Sequence, residues 1–221
     1  GTGTVTMTTN SITGDVIPGK LAGTNFTGGL IVGHSTTGTL STAQYNTGVG
    51  LTAMEDITQA DKTAAFGYAA GRNITTAGNN TALGAYASSE LATSYGGNVT
   101  VGTQADYFSQ TGYDNVAVGY QALYGVSTNS HAGNTGIGRS AISAITTGAR
   151  NIGLGHSAGN NITSGSGNVV IGQADVSSAT ADDQLSISDG EDGAIVWITG
   201  DSSGTVSANG GELTTTGKAF V

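Results

Sequence analysis

The chain of 221 residues is long enough for one extended domain, and its composition excludes several common protein classes. Charged residues make up 10% of it and 38 residues are glycine, which fits poorly with a helical or α/β core. The net charge of -9, with six scattered basic residues, argues against nucleic-acid and anionic-membrane partners, because phosphate neutralisation needs clustered Lys and Arg. The absence of cysteine excludes disulfides, and no apolar run is long enough to predict membrane insertion.

The chain divides into three segments by pattern. Residues 1–24 alternate Thr with apolar residues and are interpreted as a β lead-in, with Pro18 marking a turn. Residues 25–180 carry an internal repeat. From residue 181 the period is lost, and the segment 181–221 is interpreted as a C-terminal β segment that serves as a cap, a stalk transition or a docking point.

The repeat is marked by a glycine that follows an apolar residue. Successive copies of this repeat glycine are separated by 17, 17, 17, 18, 17, 19, 17 and 17 residues, counted between their positions. The nine repeat glycines are Gly33, Gly50, Gly67, Gly84, Gly102, Gly119, Gly138, Gly155 and Gly172.

Four columns of residues keep their place relative to the repeat glycine. Asn stands four residues before it in most copies, and Ala stands three residues after it. The residue immediately before it, here named the first apolar column, is Val32, Val49, Phe66, Leu83, Val101, Val118, Ile137, Leu154 and Ile171. The residue seven places after it, the second apolar column, is Leu40, Ile57, Ile74, Leu91, Val126, Ile145 and Ile162. We predict that both apolar columns face a common interior.

This pattern predicts an all-β fold, a β-solenoid of about nine 17-residue coils. Each coil has two short extended runs joined by turns rich in Gly and Asn, residues that tolerate positive φ. A single coil cannot bury its apolar face alone, but stacked coils make a continuous core. At a strand spacing of about 4.8 Å, nine coils form a rod of roughly 40 Å.

The stretch GLGHSAG, residues 153–159, matches two enzyme signatures that the repeat explains. It fits a dinucleotide-binding fingerprint, and it fits a hydrolase nucleophile elbow with Ser157 as the nucleophile. The next repeat glycine arrives 17 residues later, which leaves no room for the helix that either site needs. Ser35 and Ser140 share the column of Ser157 without the flanking pattern. We therefore predict no catalytic residue, no cofactor and no enzyme activity.

The three histidines and one acidic turn are the candidate metal ligands. His34 and His156 lie seven coils apart, roughly 34 Å, so they cannot share an ion within one chain. His131 sits in a two-residue insertion, and all three are interpreted as surface or ladder histidines, with a threefold ring of one His in a trimer left open. The turn SDGEDG could hold Ca²⁺ through carboxylates, but a solvated turn is favoured and no metal site is predicted. Its acidic residues are Asp189, Glu191 and Asp192.

One further column of residues indicates where the surface of the protein would contact a ligand. The residue directly after the repeat glycine is variable and polar, so this column is predicted to face solvent. Its members include His34, Tyr68, Tyr120, Arg139 and His156. No receptor-binding residue is assigned.

The repeats NVAVGYQAL (115–123), NTGIGRSAI (134–142) and NTALGAYA (80–87) resemble the heads of trimeric autotransporter adhesins and, more closely, repeats of tailed-phage fibres. The resemblance implies a left-handed parallel β-roll that assembles as a homotrimer. It further implies a structural and adhesive segment of a phage tail fibre or receptor-binding protein in the virion, which mediates attachment to the host. The implied partners are other tail or baseplate proteins and a host cell-surface receptor, a glycan among the candidates, with no nucleic acid and no membrane insertion.

The alternative is the head domain of a bacterial trimeric autotransporter adhesin at the cell surface, although such heads usually have coils shorter than the one here. Residues after 181 are similar to segments that join fibre repeats to a self-cleaving C-terminal chaperone domain. The small column, two residues before the repeat glycine, is predicted to pack against sister chains of the trimer. It comprises Ile31, Gly48, Ala65, Ala82, Thr100, Ala117, Gly136, Gly153 and Val170.

Overall fold

The structure is a computed structural model that describes residues 19–34, 37–92, 96–126 and 130–208. Most of the β lead-in, including Pro18, and the tail from residue 209 onward lie outside the described residues. In the described ranges, all regular secondary structure is β-strand and no helix occurs. The strands are β1 (Gly19–Gly23), β2 (Phe26–Val32), β3 (Ala43–Gln44), β4 (Thr47–Val49), β5 (Ala64–Phe66), β6 (Thr81–Leu83), β7 (Val99–Val101), β8 (Val116–Val118), β9 (Thr135–Ile137), β10 (Ile152–Leu154), β11 (Val169–Ile171), β12 (Leu185–Ser188), β13 (Val196–Gly200) and β14 (Val206–Ala208).

The strands form one sheet in chain order, except that the short β3 pairs beside β2. From β2 to β12 the pairing is parallel, and each coil places its strand directly on the previous one, as in the pairs Val49↔Phe66 and Ile137↔Leu154. At the two ends the pairing changes to antiparallel, between β1 and β2 and from β12 to β14. The fold confirms the predicted β-solenoid of about nine turns with a repeat of about 17 residues.

The repeat glycine is needed because of its backbone conformation and its contact with the next coil. Gly138 has a φ of +132°, a value that residues with a Cβ rarely adopt. A Cβ added there would overlap the carbonyl oxygen of Gly155, the repeat glycine of the following coil. The other inner coils repeat this arrangement, which explains the glycine period in the sequence.

Three further positions of the coil have a left-handed backbone without glycine. In the coil of Gly138 they are Ser140, Ile142 and Arg150, with φ values of +56°, +49° and +56°. Positive φ is uncommon for a β-branched residue such as Ile142. Its fully buried side chain is the reason that this conformation is maintained. The coil therefore reverses direction through repeated left-handed residues.

The interior is filled by the second run of each coil, the residues after the repeat glycine. Ile57, Ile74 and Ile145 of the second apolar column are fully buried, as predicted, and Leu123 and Ile142 fill the gap beside them. One member departs from the prediction, because Val126 is 47% exposed.

The small column faces this interior, which corrects the predicted orientation of the strands. Ala65, Ala82 and Ala117 are fully buried inside their own chain, and an added Cβ at Gly136 would lie 3.1 Å from Cγ of Leu123. The small column therefore cannot pack against sister chains. The physical reason is width, since the gap between the strand and the second run holds only one layer of large side chains.

The first apolar column consequently faces outward, contrary to the prediction. Leu83 is 48% exposed, Ile137 42% and Phe66 39%. Successive residues of a strand point to opposite sides, so burying the small column forces its neighbour out of the core.

Asparagines form a buried ladder through the solenoid. The Oδ1 atom of Asn134 accepts hydrogen bonds from the backbone N–H and the side-chain amide of Asn151, at 2.9 and 3.0 Å. The amide of Asn134 in turn donates to Oδ1 of Asn115 and to the carbonyl of Gly148. Equivalent bonds join the steps from Asn80 to Gln184, so each asparagine satisfies buried backbone groups at the turn before its strand.

Candidate interaction surfaces

An apolar stripe runs along the outside of the sheet, formed by the first apolar column. Its members are stacked one strand apart, so the stripe extends for roughly 40 Å at the usual strand spacing. The register extends it onto the C-terminal strands through Ile187 and Ile198. Leu30, Val99 and Ile152, two residues earlier on their strands, widen it and are 37–40% exposed. A contiguous apolar surface of this length is typical of an interface rather than of an isolated chain.

An aromatic cluster lies on a different part of the surface. It consists of Tyr68, Tyr86, Tyr107, Phe108 and Tyr124, from four consecutive coils. Ring centroids of Tyr68 and Tyr86 are 5.0 Å apart, and those of Tyr86 and Tyr107 are 5.9 Å apart, both edge to face. Tyr107 stacks on Tyr124 at 5.6 Å, with Phe108 against both. These contacts make one continuous aromatic surface along the rod in a chain that has few aromatic residues.

Neighbouring groups and burial raise the pKa of two tyrosines of the cluster, Tyr86 and Tyr107. The hydrogen bond with Tyr68 is the main cause that raises the pKa of Tyr86, with desolvation second. Burial raises the pKa of Tyr107, and the nearby Glu90 carboxylate adds to the effect. Both phenols therefore stay neutral at physiological pH and act as hydrogen-bonding groups.

Polar groups border the aromatic cluster. Arg72 pairs with Glu90 at 3.4 Å, and Asn73 donates a 2.9 Å hydrogen bond to the same carboxylate. In the column of Tyr86, the next two coils hold Gln104 and Gln121, and Gln121 donates to the side-chain carbonyl of Gln104 at 3.0 Å. A primary amide has two donor hydrogens and an acceptor oxygen, so one bond occupies only part of the capacity of this pair.

Three rings of the aromatic cluster, Tyr107, Phe108 and Tyr124, lie across the coil from the stripe, whereas Tyr68 is two residues from Phe66 of the stripe. The inner side of the strand contacts the second run, as Gly153 does with Ile142. Tyr107, Phe108 and Tyr124 belong to the second run, and their side chains are partly exposed beside fully buried neighbours such as Leu123. The second run therefore directs these rings away from the face that carries the stripe.

A buried polar cluster interrupts the core in the coil of Gly102. Asp106 occupies the position of Leu123 in the next coil, Ser109 occupies that of Leu91 in the preceding coil, and both polar residues are fully buried. His131, also fully buried, places its Nε2 atom 3.2 Å from Oδ1 of Asp106 and its Nδ1 atom 3.3 Å from Oδ1 of Asn115. A buried carboxyl group needs a polar partner, and the imidazole of His131 is the group that faces it.

Of the two interpretations of His131, surface or ladder histidine, its burial excludes the first, and its Nδ1 atom contacts Asn115 of the asparagine ladder. The two-residue insertion that contains His131 follows the coil of Gly102, which has the polar Ser109 in the second apolar column.

The other histidines differ from each other. His34 is buried, with its Nε2 atom 2.7 Å from the carbonyl oxygen of Ala53, so it does not face solvent as its column was predicted to do. His156 is exposed in agreement with the prediction. In the same column Arg139 and Tyr120 are exposed, and the guanidinium carbon lies 5.8 Å from the ring centroid.

The remaining candidate residues lie in turns. Asp189 accepts a hydrogen bond from the N–H of Gly193 at 2.7 Å, and Asp192 accepts one from Ala194 at 2.9 Å, so these carboxylates stabilise the turn itself. Glu191 is exposed. Over the described ranges, no group of three or more His, Cys, Asp or Glu could hold a metal ion.

Ser157 lies in the turn after its repeat glycine, and its φ of +55° matches the +56° of Ser140 one coil earlier. Both serines therefore occupy the repeating turn. Ser35 lies outside the described residues.

The C-terminal hairpin of β13 and β14 presents further apolar side chains. Trp197 is 52% exposed and Val206 is 56% exposed. In the loop between the strands, a hydrogen bond from the Ser203 hydroxyl, followed by one from the Thr205 N–H, holds the pKa of Asp201 below its usual value. The Asp201 carboxylate thus stabilises the loop, while Trp197 and Val206 on the adjacent strands remain exposed to solvent.

No family model matches this chain, and neither a curated protein nor a solved structure matches it. The fold alone defines the class, a β-solenoid repeat protein of about nine turns, consistent with a β-roll. Among the described residues, none lies in a helix that is long and apolar enough to cross a membrane.

Proposed function

We propose that this chain is a homotrimeric, non-enzymatic segment of a phage tail fibre that takes part in attachment to the host surface. The observation that carries the proposal is the apolar stripe, whose exposed Phe66, Leu83 and Ile137 stand in line over the length of the solenoid. Burial of such surface between copies stabilises association by about 25 cal/mol per Å² before the costs of binding are subtracted.

Three copies around one axis can bring their stripes together at the centre of a closed ring. The choice of three copies rather than two rests on the resemblance of the repeats to those of trimeric fibres and adhesin heads. The stripe has no charged residue in its column, so no charge is desolvated when the copies meet. A rod of three fused solenoids is also stiffer than one thin coil, as a fibre requires.

Ends of the solenoid suit a segment of a longer fibre. The exposed Trp197 and Val206 of the C-terminal hairpin offer apolar contacts to the next segment or to another tail or baseplate protein. A bacterial adhesin head would use the same trimer. Its full reading frame would encode a membrane anchor rather than lie beside tail-assembly genes.

Analytical ultracentrifugation of the parent and of the Leu83→Asp/Ile137→Asp double variant tests the trimer. We expect the parent to sediment as a trimer and the variant as a folded monomer. A trimer of the variant would bury six carboxylates, two from each chain. Arg139→Asp, two residues from Ile137 but outside the stripe, is the control and should remain trimeric. A monomeric parent, or a trimeric double variant, would refute the proposed interface.

A further inference from the structure

Three rings of the aromatic cluster, Tyr107, Phe108 and Tyr124, lie on the second run, across the coil from the strands that carry the stripe. Association through the stripe therefore leaves three copies of this part of the cluster open to solvent. Four of the eight tyrosines of the chain are concentrated in this one place.

Packing within the solenoid does not account for this concentration. Neighbouring coils hold Ser89 and Ser143 in the column of Tyr107 and Tyr124, and Ala85 in the column of Tyr68, without loss of the fold. The coil geometry accepts small residues at these positions. The aromatic side chains are thus an addition that the stacking of coils does not require.

The chemistry of the cluster fits an uncharged saccharide. Sugar rings have apolar C–H faces and hydroxyl edges, and a tyrosine combines an apolar ring with a hydrogen-bonding group at its tip. Beside the rings, Asn73, Gln104 and Gln121 provide amides of the kind that bond sugar hydroxyls. The charges of Arg72 and Glu90 cancel in their ion pair, and the chain as a whole carries -9, so a polyanion would be repelled.

We infer that the aromatic cluster of Tyr68, Tyr86, Tyr107, Phe108 and Tyr124 is a binding surface for an uncharged oligosaccharide that lies along the rod. This inference rests on the proposed attachment function and names the class of ligand and the site. Three equivalent copies in one trimer raise the avidity for a surface that presents many such chains, while each single site binds weakly.

Saturation-transfer NMR on the purified protein, with maltohexaose, cellohexaose and chitohexaose as separate probes, tests the inference. We expect at least one of them to bind the parent, and the Tyr107→Ser/Tyr124→Ser variant to lose affinity by roughly tenfold or more, as for the centre of a binding surface. Serine is the residue of the adjacent coils at both positions, so this variant should keep its melting temperature. The control is Tyr120→Thr, which removes an exposed tyrosine outside the cluster. Threonine is the residue at the same position of the preceding coil, Thr103, and this variant should keep its affinity within about twofold of the parent.

The outcomes separate this inference from the proposed function. Absence of binding by all three probes, or equal binding by the parent and the double serine variant, overturns the saccharide site even if the protein is a trimer. Binding that depends on Tyr107 and Tyr124 in a monomeric parent supports the site and refutes the trimer. Stronger binding of heparin than of the neutral probes would overturn the assignment to an uncharged ligand.

Discussion

At the scale of single residues, two features require glycine at the repeat positions. One is the positive φ of the residue, and the other is its close contact with the carbonyl group of the next coil. We expect Gly138→Ala to lower the free energy of unfolding by about 2–5 kcal/mol, through backbone strain and overlap with Gly155. Urea denaturation measures the change. Gly133→Asn is the control, because Asn79 adopts a φ of +58° in the same column, close to the +66° of Gly133. An equal loss in the two variants would show that positive φ alone, and not the contact between coils, determines the glycine.

The Asp106–His131 pair makes a second prediction at this scale. His131→Ala leaves the buried carboxyl group of Asp106 without its partner and should cost about 3–5 kcal/mol. The double variant Asp106→Leu/His131→Ala should be more stable than that single variant, since it removes the buried polar group and restores an apolar core. Leu123 and Ala77 already occupy the corresponding columns.

A double-mutant cycle from thermal and urea unfolding gives the coupling free energy of this pair. A coupling near zero would mean that the two side chains are stable independently.

At the scale of the coil, the asparagine ladder connects each turn to the next. Asn134→Ala removes the acceptor for Asn151 and the donor to Gly148, and each buried group left unpaired costs about 1–3 kcal/mol. We therefore expect a loss of unfolding free energy several times larger than for Asn160→Ala. Asn160 is partly exposed and does not belong to the ladder, so it is the matched control. Similar melting temperatures for the two variants would contradict a structural ladder.

The period and the fold of the coil could be predicted from the sequence, whereas the orientation of its strands could not. Hydrophobicity favoured Ile137 over Gly136 for the interior, since a large apolar residue usually gains most from burial. The structure buries Gly136 because Leu123 and Ile142, four residues after their glycines, already fill the narrow gap. The small residues of the small column are the sequence sign of this competition for width, but they fit packing against sister chains equally well.

The candidate surfaces were accessible to sequence reasoning to different degrees. Exposed positions directly after the repeat glycine were predicted correctly for Tyr68 and Tyr120. The aromatic cluster was not foreseen, because it joins residues of different columns, and only the structure shows that the rings of Tyr86 and Tyr107 meet. The contact between Asp106 and His131 was missed for the same reason, because the two residues are 25 positions apart and belong to adjacent coils.

At the scale of the whole molecule, the trimer should couple assembly to folding. If copies associate through the stripe, the melting temperature of the parent should rise with protein concentration, because mass action favours the associated folded state. Calorimetry over a hundredfold concentration range measures this dependence. The Leu83→Asp/Ile137→Asp variant should melt at a temperature that does not depend on concentration. A parent whose melting temperature is also constant would indicate a chain that folds and unfolds alone.

The asparagine ladder also determines how such a protein can change in size. Each rung repeats the same bonds with its two neighbours, as Asn134 does with Asn115 and Asn151, so one rung is geometrically interchangeable with the next. Duplication or loss of one whole unit of 17 residues leaves every rung with a proper neighbour. One or two extra residues within a coil are also tolerated, since the steps of 18 and 19 residues to Asn98 and Asn134 keep the same bonds. The length of the solenoid therefore changes in steps of about 4.8 Å, one strand spacing for each unit gained or lost. Gene duplication within the repeat can then adjust the distance between the two ends of the molecule without a redesign of its core.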